Sequence, residues 1–190
     1  MIEVKRLVIS GLVLDLNKFI LQSEVEQWAK TVKRPSSLAY STDGNTLLIG
    51  TIGGNVVRYD LSSKQQSGAF VGHKDVVSSV AVSKDGNWVL TASYDKTVRL
   101  WKQESQVLVH CLEGHEEAVF GASFLGTADF AVSVSGDKRL NVWDLSSGKL
   151  IATKMTEFPL YCCAISPDGK TILAGTAGKS GRLLWFQVQV

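Results

Sequence analysis

The chain has 190 residues, 45% of them hydrophobic and 20% charged, with a formal net charge of +2. Such a composition buries a core and excludes a chain dominated by disorder. Its longest apolar stretches, such as residues 7–14 interrupted by Ser10 and Gly11, fall far short of the ~20 residues a membrane-spanning helix needs. So small a net charge gives no electrostatic reason to expect nucleic acid or a membrane surface as partner.

Taken from the N-terminus, no apolar run ends in a small-residue cleavage site, so no secretory signal is read and a cytoplasmic location is expected. Within residues 1–23, "VKRLVIS" and "LVLDL" are favoured as strands of a truncated sheet, while "LNKFILQSEVEQWAK" also carries the spacing of an amphipathic helix. Lys30, Lys33 and Arg34 form a small basic cluster, read as a solvated loop. Cys111, Cys162 and Cys163, odd in number and irregular in spacing, are no disulfide framework and are read as small buried apolar side chains.

From residue 24 onward the chain repeats. Tyr59, Trp101, Trp143 and Trp185 follow one another at intervals of 42 residues, each closing a strand-like run: "NVVRY", "TVRLW", "RLNVW" and "GRLLW". The pairs Gly72-His73 and Gly114-His115 are also 42 apart. Within a unit, "VVSSVAVS", "WVLTAS" and "TVRLW" alternate β-branched or aromatic residues with small or polar ones, the period of strands. Asp43-Gly44, Asp85-Gly86 and Asp168-Gly169 sit between first and second strands, where a tight hairpin needs positive φ; the third unit has "LGTADF" there. A fourth, more polar strand is read in "QQSGAF", "QVLVHCL" and "KLIATKM". Four antiparallel strands per unit predict one propeller blade each.

"GHKDVVSSVAVSKDGNWVLTASYDKTVRLW" and "GHEEAVFGASF…VSVSGDKRLNVWDL" resemble WD40 repeats. The resemblance covers roughly residues 24–190, in approximate units 31–71, 72–113, 114–155 and 156–190. It implies an all-β WD40 propeller of four blades of four antiparallel strands, with residues 1–23 as a partial blade or N-terminal extension. The last unit has no fourth strand of its own, and residues 24–30, "EVEQWAK", stand in the position from which an N-terminal strand completes the closing blade. Part of a larger ring, or an open arc of one, is expected.

The resemblance assigns a hydrogen-bonded chain to His73, Ser93, Asp95 and Trp101, and another to His115, Ser135, Asp137 and Trp143. The corresponding residues of the first unit are Thr31, Thr51, Gly53 and Tyr59, and those of the fourth are Glu157, Thr176, Gly178 and Trp185; neither is expected to form the network. His, Ser and Asp are also the types of a nucleophilic triad, but a set recurring every 42 residues with a Trp attached argues for structure, not catalysis. "AGTAGKSG" at 174–181 lacks the glycine a phosphate-binding loop needs at position 173, which is Leu, and precedes a strand. His110, Cys111 and His115 have no fourth metal ligand at a sensible spacing. No cofactor, metal or catalytic residue is assigned.

The functional expectation is a non-catalytic protein–protein interaction scaffold that binds proteins or peptides on the top face of the propeller. The family pattern places partner contacts at Val76, Ser78 and Tyr94 in one unit and Ala118, Phe120 and Gly136 in the next, with Tyr94 and Phe120 as aromatic anchors. The closing unit also resembles the last blade of propellers appended to bacterial signalling NTPases of the NACHT and NB-ARC type, which implies the sensor end of a larger protein as the alternative. An enzyme on a propeller scaffold is the distant third reading. Because an open arc exposes strand edges, a homodimer or further blades are expected to complete it.

Overall fold

The computed structural model describes residues 6–9, 12–15, 34–126, 128–176 and 181–188. The chain divides into two compact units, Met1–Lys33 and Arg34–Val190. In the first, Arg6–Ile9 (β1) and Leu12–Asp15 (β2) form an antiparallel hairpin that pairs Leu7 with Leu14 and Val8 with Val13. The segment read as helix or outer strand, and Lys30 and Thr31 with it, lie outside the described residues.

The second unit is four antiparallel sheets in succession. Blade 1 comprises Pro35–Tyr40 (β3), Thr46–Thr51 (β4), Asn55–Asp60 (β5) and Gln65–Val71 (β6). Blade 2 comprises Val77–Val82 (β7), Trp88–Ser93 (β8), Val98–Lys102 (β9) and Leu108–Leu112 (β10), and blade 3 Val119–Leu125 (β11), Phe130–Ser135 (β12), Arg139–Asp144 (β13) and Lys149–Met155 (β14). Blade 4 has three strands among the described residues: Leu160–Ile165 (β15), Thr171–Thr176 (β16) and Leu183–Gln187 (β17). The fold is all-β, as the repeat predicts.

Two local devices recur along the blades, the first in blades 1, 2 and 4 and the second in all four. At the first hairpin, Gly44, Gly86 and Gly169 take φ of +72°, +74° and +72°, values costly for any residue with a Cβ. Each turn is braced by a serine two residues before the aspartate: Ser83 Oγ donates to Asp85 Oδ1 at 2.5 Å and accepts from Trp88 N at 2.9 Å, and Ser41 and Ser166 do the same in blades 1 and 4. The second device is a bulge near the start of every inner strand, where the register shifts between Pro35 and Ser37, Val77 and Ser79, Val119 and Gly121, and Leu160 and Cys162. A bulge leaves one residue outside the ladder and re-aims its side chain. Those residues are Ser36, Ser78, Phe120 and Tyr161.

Alternation gives every blade two apolar faces, and successive blades bury them against each other. Leu48, Val56 and Phe70 of blade 1 pack with Val77, Val80, Val89 and Trp101 of blade 2. Leu90, Ala92, Val98 and Leu100 pack with Val119, Ala122, Ala131 and Trp143 of blade 3. Val132, Val134 and Leu140 pack with Leu160, Ile172 and Ala174 of blade 4. The three cores have one construction: the trailing face of a blade meets the leading face of the next.

Two sequence expectations are corrected here. The 42-residue interval assigns the blade aromatic of the last unit to Trp185, yet Phe186 pairs with Ile172 as Trp143 pairs with Ala131, and Phe186 packs into the third core. A one-residue shift in a strand exchanges its faces, so Trp185 points to the opposite side and is exposed. The cysteines are also not uniformly buried: Cys111 and Cys162 are exposed, and Cys163 alone packs against a core, its thiol pushed up to about 12 by burial.

Candidate functional site

Within blade 2, β9 carries Trp101 opposite Val89, which lays the indole along β8 with its N–H at Thr91. Trp101 Nε1 donates to Thr91 Oγ1 at 2.9 Å, Thr91 Oγ1 lies 2.7 Å from His73 Nε2, and His73 Nδ1 lies 2.8 Å from Asp95 Oδ2. Blade 3 repeats it: Trp143 Nε1 donates to Ser133 Oγ at 2.8 Å, Ser133 Oγ is 2.8 Å from His115 Nε2, and His115 Nδ1 is 2.8 Å from Asp137 Oδ2.

The hydroxyls of these chains are Thr91 and Ser133, not Ser93 and Ser135. Residues two apart on a strand share a face, so sequence alone offers both; the reach of the indole selects the nearer. Ser93 instead closes the adjoining turn, donating to Asp75 O at 3.1 Å and accepting from Asp95 N at 3.1 Å, and Ser135 does likewise with Glu117 O and Asp137 N. In blade 1 the Thr91 position is Ile49, and in blade 4 it is Ala174, so neither can form the chain. Thr51 and Thr176 cap the β4–β5 and β16–β17 connections. Gly178 lies outside the described residues.

Charge fixes the direction of each chain. Burial drives Asp95 toward neutrality, but the Lys74 backbone N–H, the Thr97 hydroxyl and His73 together outweigh it and hold the carboxyl at about 2. An ionised carboxylate only accepts, so His73 carries its proton on Nδ1. Burial keeps His73 and His115 below the ordinary imidazole value against the pull of Asp95 and Asp137. Neutral at Nε2, each imidazole accepts from the hydroxyl, which accepts from the indole. Every member is buried or satisfied, and Thr91 and Ser133 have no accessible surface. These hydroxyls are locked in structure and offer no nucleophile to a substrate.

The second constellation lies where the bulges and the second-to-third-strand turns meet. Tyr94 follows Ser93 and is exposed; its N–H donates to Val76 O at 3.0 Å, as Gly136 N donates to Ala118 O at 3.1 Å. Val76 and Ala118 are half-buried and brace the turns. Ser78 is a clip between blades, donating to Val119 O at 2.5 Å, and Ser36 donates to Val77 O at 2.6 Å. Gly136 is tight: a Cβ there would stand 2.8 Å from Glu117 Oε2 and 3.3 Å from Phe120. Tyr94 meets Phe120 edge to face with ring centroids 5.4 Å apart, and Phe120 stacks on Tyr161 at 4.4 Å. Three rings from three successive blades therefore form one row.

Of the six residues read as partner contacts, the structure brings Tyr94 and Phe120 together, uses Val76, Ser78 and Ala118 as supports, and places Gly136 in the turn beside Phe120. Tyr161 was not singled out from sequence. It holds the bulge position one unit beyond Phe120, but counting five on from Glu157, which stands in the histidine's place, reaches Cys162, so a one-residue deletion hides it from the sequence rule. Among the described residues no three His, Cys, Asp or Glu side chains converge as a metal site would require; Cys111 Sγ faces Glu113. Among the described residues no helix is long and apolar enough to cross a membrane.

The stacked four-stranded sheets and the repeated Trp–hydroxyl–His–Asp chain define a β-propeller of the WD type. The family model for the WD domain, G-beta repeat, matches residues 64–102, 106–144 and 148–184, more than half of the chain, and the chain belongs to the WD40 repeat family. Each match runs from the outer strand of one blade into the third strand of the next. Among solved structures the chain is similar to that of U3-55K, at 16% identity over 79% of this chain and 48% of that one, with a TM-score of 0.71. It is likewise similar to the RRP9 WD40 repeats, at 16% identity over 75% of this chain and 45% of that one, with a TM-score of 0.69. At such identity the likeness shows the fold alone, and the chain spans about half the length of both structures. No curated protein matches it.

Proposed function

We propose that the protein is a non-catalytic cytoplasmic scaffold that captures protein or peptide partners on the rim carrying Tyr94, Phe120 and Tyr161. WD40 domains generally serve protein interaction, and the single observation that carries the reading to this rim is the continuous aromatic row. Its rings lie outside the three inter-blade cores, so packing of the blades does not account for them. Aromatic side chains lose little entropy when a partner covers them and are favoured anchors. The locked state of both His–hydroxyl chains supports a role without chemistry at those residues.

The test is selection of binders from a random-peptide library against the immobilised chain, followed by titration of the selected peptides against variants. Tyr94→Ala and Tyr161→Ala are expected to weaken binding by at least about tenfold, ~1.4 kcal/mol, while each variant stays folded by circular dichroism at the temperature of the titration. Unchanged affinity in both variants overturns the assignment of this rim.

A further inference from the structure

The aromatic row is broken at one place. One blade beyond Tyr94 and Phe120, the equivalent positions hold Gly136 and Tyr161, so the ring that would meet Tyr161 as Tyr94 meets Phe120 is missing. Glu117 lies over the glycine instead. The point a Cβ at Gly136 would occupy is 2.8 Å from Glu117 Oε2, 3.6 Å from Glu117 Cβ and 3.3 Å from Phe120 Cε2. A carboxylate therefore stands where blade 2 carries a phenol, at the edge of the ring on which Tyr161 stacks. Gly136 does not have a positive φ, so its backbone does not call for glycine; the space above its Cα does. The acids around it are engaged. Glu116 pairs with Arg139 at 2.8 Å, and Asp75, the blade 2 equivalent of Glu117, accepts from Val76 N at 2.7 Å. Glu117 is exposed and offers its backbone carbonyl to Ser135, while among the described residues its carboxylate has no hydrogen bond or ion pair.

We propose that Glu117 is the charged subsite of the aromatic row and takes the cationic end of an arginine or lysine of the captured peptide, whose aliphatic stem lies along the rings of Phe120 and Tyr161. This inference rests on the aromatic-rim reading and names the side chain that the rim selects. Long basic side chains lay their methylenes on apolar surface and keep the charge at its border. Guanidinium suits the place best, because its plane both stacks on a ring and pairs with a carboxylate. The edge of an aromatic ring is the positive part of its quadrupole, so Phe120 Cε2 holds the Glu117 carboxylate beside the row before any partner arrives. An apolar side chain at the same place would strip water from that carboxylate and give nothing back, and an acidic one would be repelled. The row supplies the contact area, and Glu117 supplies the discrimination.

The experiment selects binders for the immobilised full chain from a random-peptide library, compares residue frequencies before and after selection, and titrates the leading synthetic peptide against variants shown by circular dichroism to be folded. Arginine or lysine is expected at one fixed position of the binders, enriched over the unselected library. Glu117→Gln is expected to weaken the leading peptide about fivefold, the upper range for an ion pair left partly in solvent. Gly136→Ala is expected to weaken it as well, because the added Cβ displaces the carboxylate while Glu117 itself remains. The same peptide with norleucine in place of its basic residue is expected to bind wild type and Glu117→Gln alike. Peptides that lose affinity in Tyr94→Ala and Tyr161→Ala but carry no basic position, or are indifferent to Glu117→Gln, overturn the charged subsite and leave the aromatic rim standing. Binders indifferent to both tyrosine variants, or a library that yields no binder, overturn both. Enrichment of aspartate or glutamate overturns the subsite in favour of Lys96 and Lys138, which belong to the same two turns as Tyr94 and Gly136.

Discussion

Phe120 stacks on Tyr161 across the boundary between blades 3 and 4, with ring centroids 4.4 Å apart and planes 19° from parallel. Both are bulge residues, released from their ladders by the same irregularity, so the row they begin is a product of backbone geometry as much as of side-chain choice. Stacked aromatic pairs contribute about 0.5–1.5 kcal/mol beyond the area they bury. A double-mutant cycle with Phe120→Ala and Tyr161→Ala, read by urea denaturation, is expected to show a coupling in that range. Additive effects would mean that the rings merely lie side by side.

The tetrads lead to a sharper expectation about hydroxyls two residues apart. Thr91→Val removes the acceptor of the Trp101 N–H and the donor to His73 at a site with no accessible surface. Two buried groups left unpaired together cost about 2–4 kcal/mol. Ser93→Ala removes two turn contacts at the strand end, worth about 1–2 kcal/mol. Unfolding of the two single variants is expected to rank Thr91→Val well above Ser93→Ala, and Ser133 above Ser135 in blade 3. The reverse order would return the tetrad hydroxyl to Ser93.

These contrasts mark what was legible in the sequence. The resemblance to WD40 repeats supplies the histidine, aspartate and tryptophan of both chains, and the blades and the Asp-Gly turns follow from a 42-residue period and from residue type. The choice between Thr91 and Ser93 does not, because strand alternation places both on one face and only the direction of the indole separates them. Nor does the aromatic of blade 4, since an insertion in the β16–β17 connection changes spacing without changing composition. The stacking of Tyr161 needed the bulge, which pairs two residues against one and leaves no compositional mark.

Blade 4 offers a direct check on that register. Phe186 is half-buried in the third core beside Leu160 and Ile172, and Phe186→Ala removes the apolar area it buries there. The cost is expected at about 2–3 kcal/mol, below that of a fully enclosed Phe. Trp185→Gln leaves that core alone and is expected to change the unfolding free energy by no more than about 0.5 kcal/mol. Chemical denaturation separates the two; a larger loss at Trp185 would restore the uncorrected 42-residue spacing.

Acid should unfold the protein in two stages. Burial first, opposed by Asp95 and Asp137, keeps His73 and His115 below the 6.5 at which they titrate when exposed. Below that pH the unfolded chain binds more protons than the folded one, so stability falls as pH falls through the folded values. Protonation also gives Nε2 a hydrogen that points at the Thr91 or Ser133 oxygen, so the hydroxyl's own hydrogen must turn away and loses its buried acceptor. The second stage belongs to the aspartates. Asp95 titrates at about 2 when folded against 3.8 when exposed, and Asp137 is lowered in the same sense. The stability they contribute is whole above the unfolded value and disappears as pH drops through the folded one. Melting temperature is therefore expected to be level from pH 8 to 7, to decline from about pH 6.5 downward, and to decline again below about pH 4. Replacing both histidines with glutamine should lower the plateau and flatten the first decline while leaving the second. A first decline that survives in that double variant would place its titrating groups outside the tetrads.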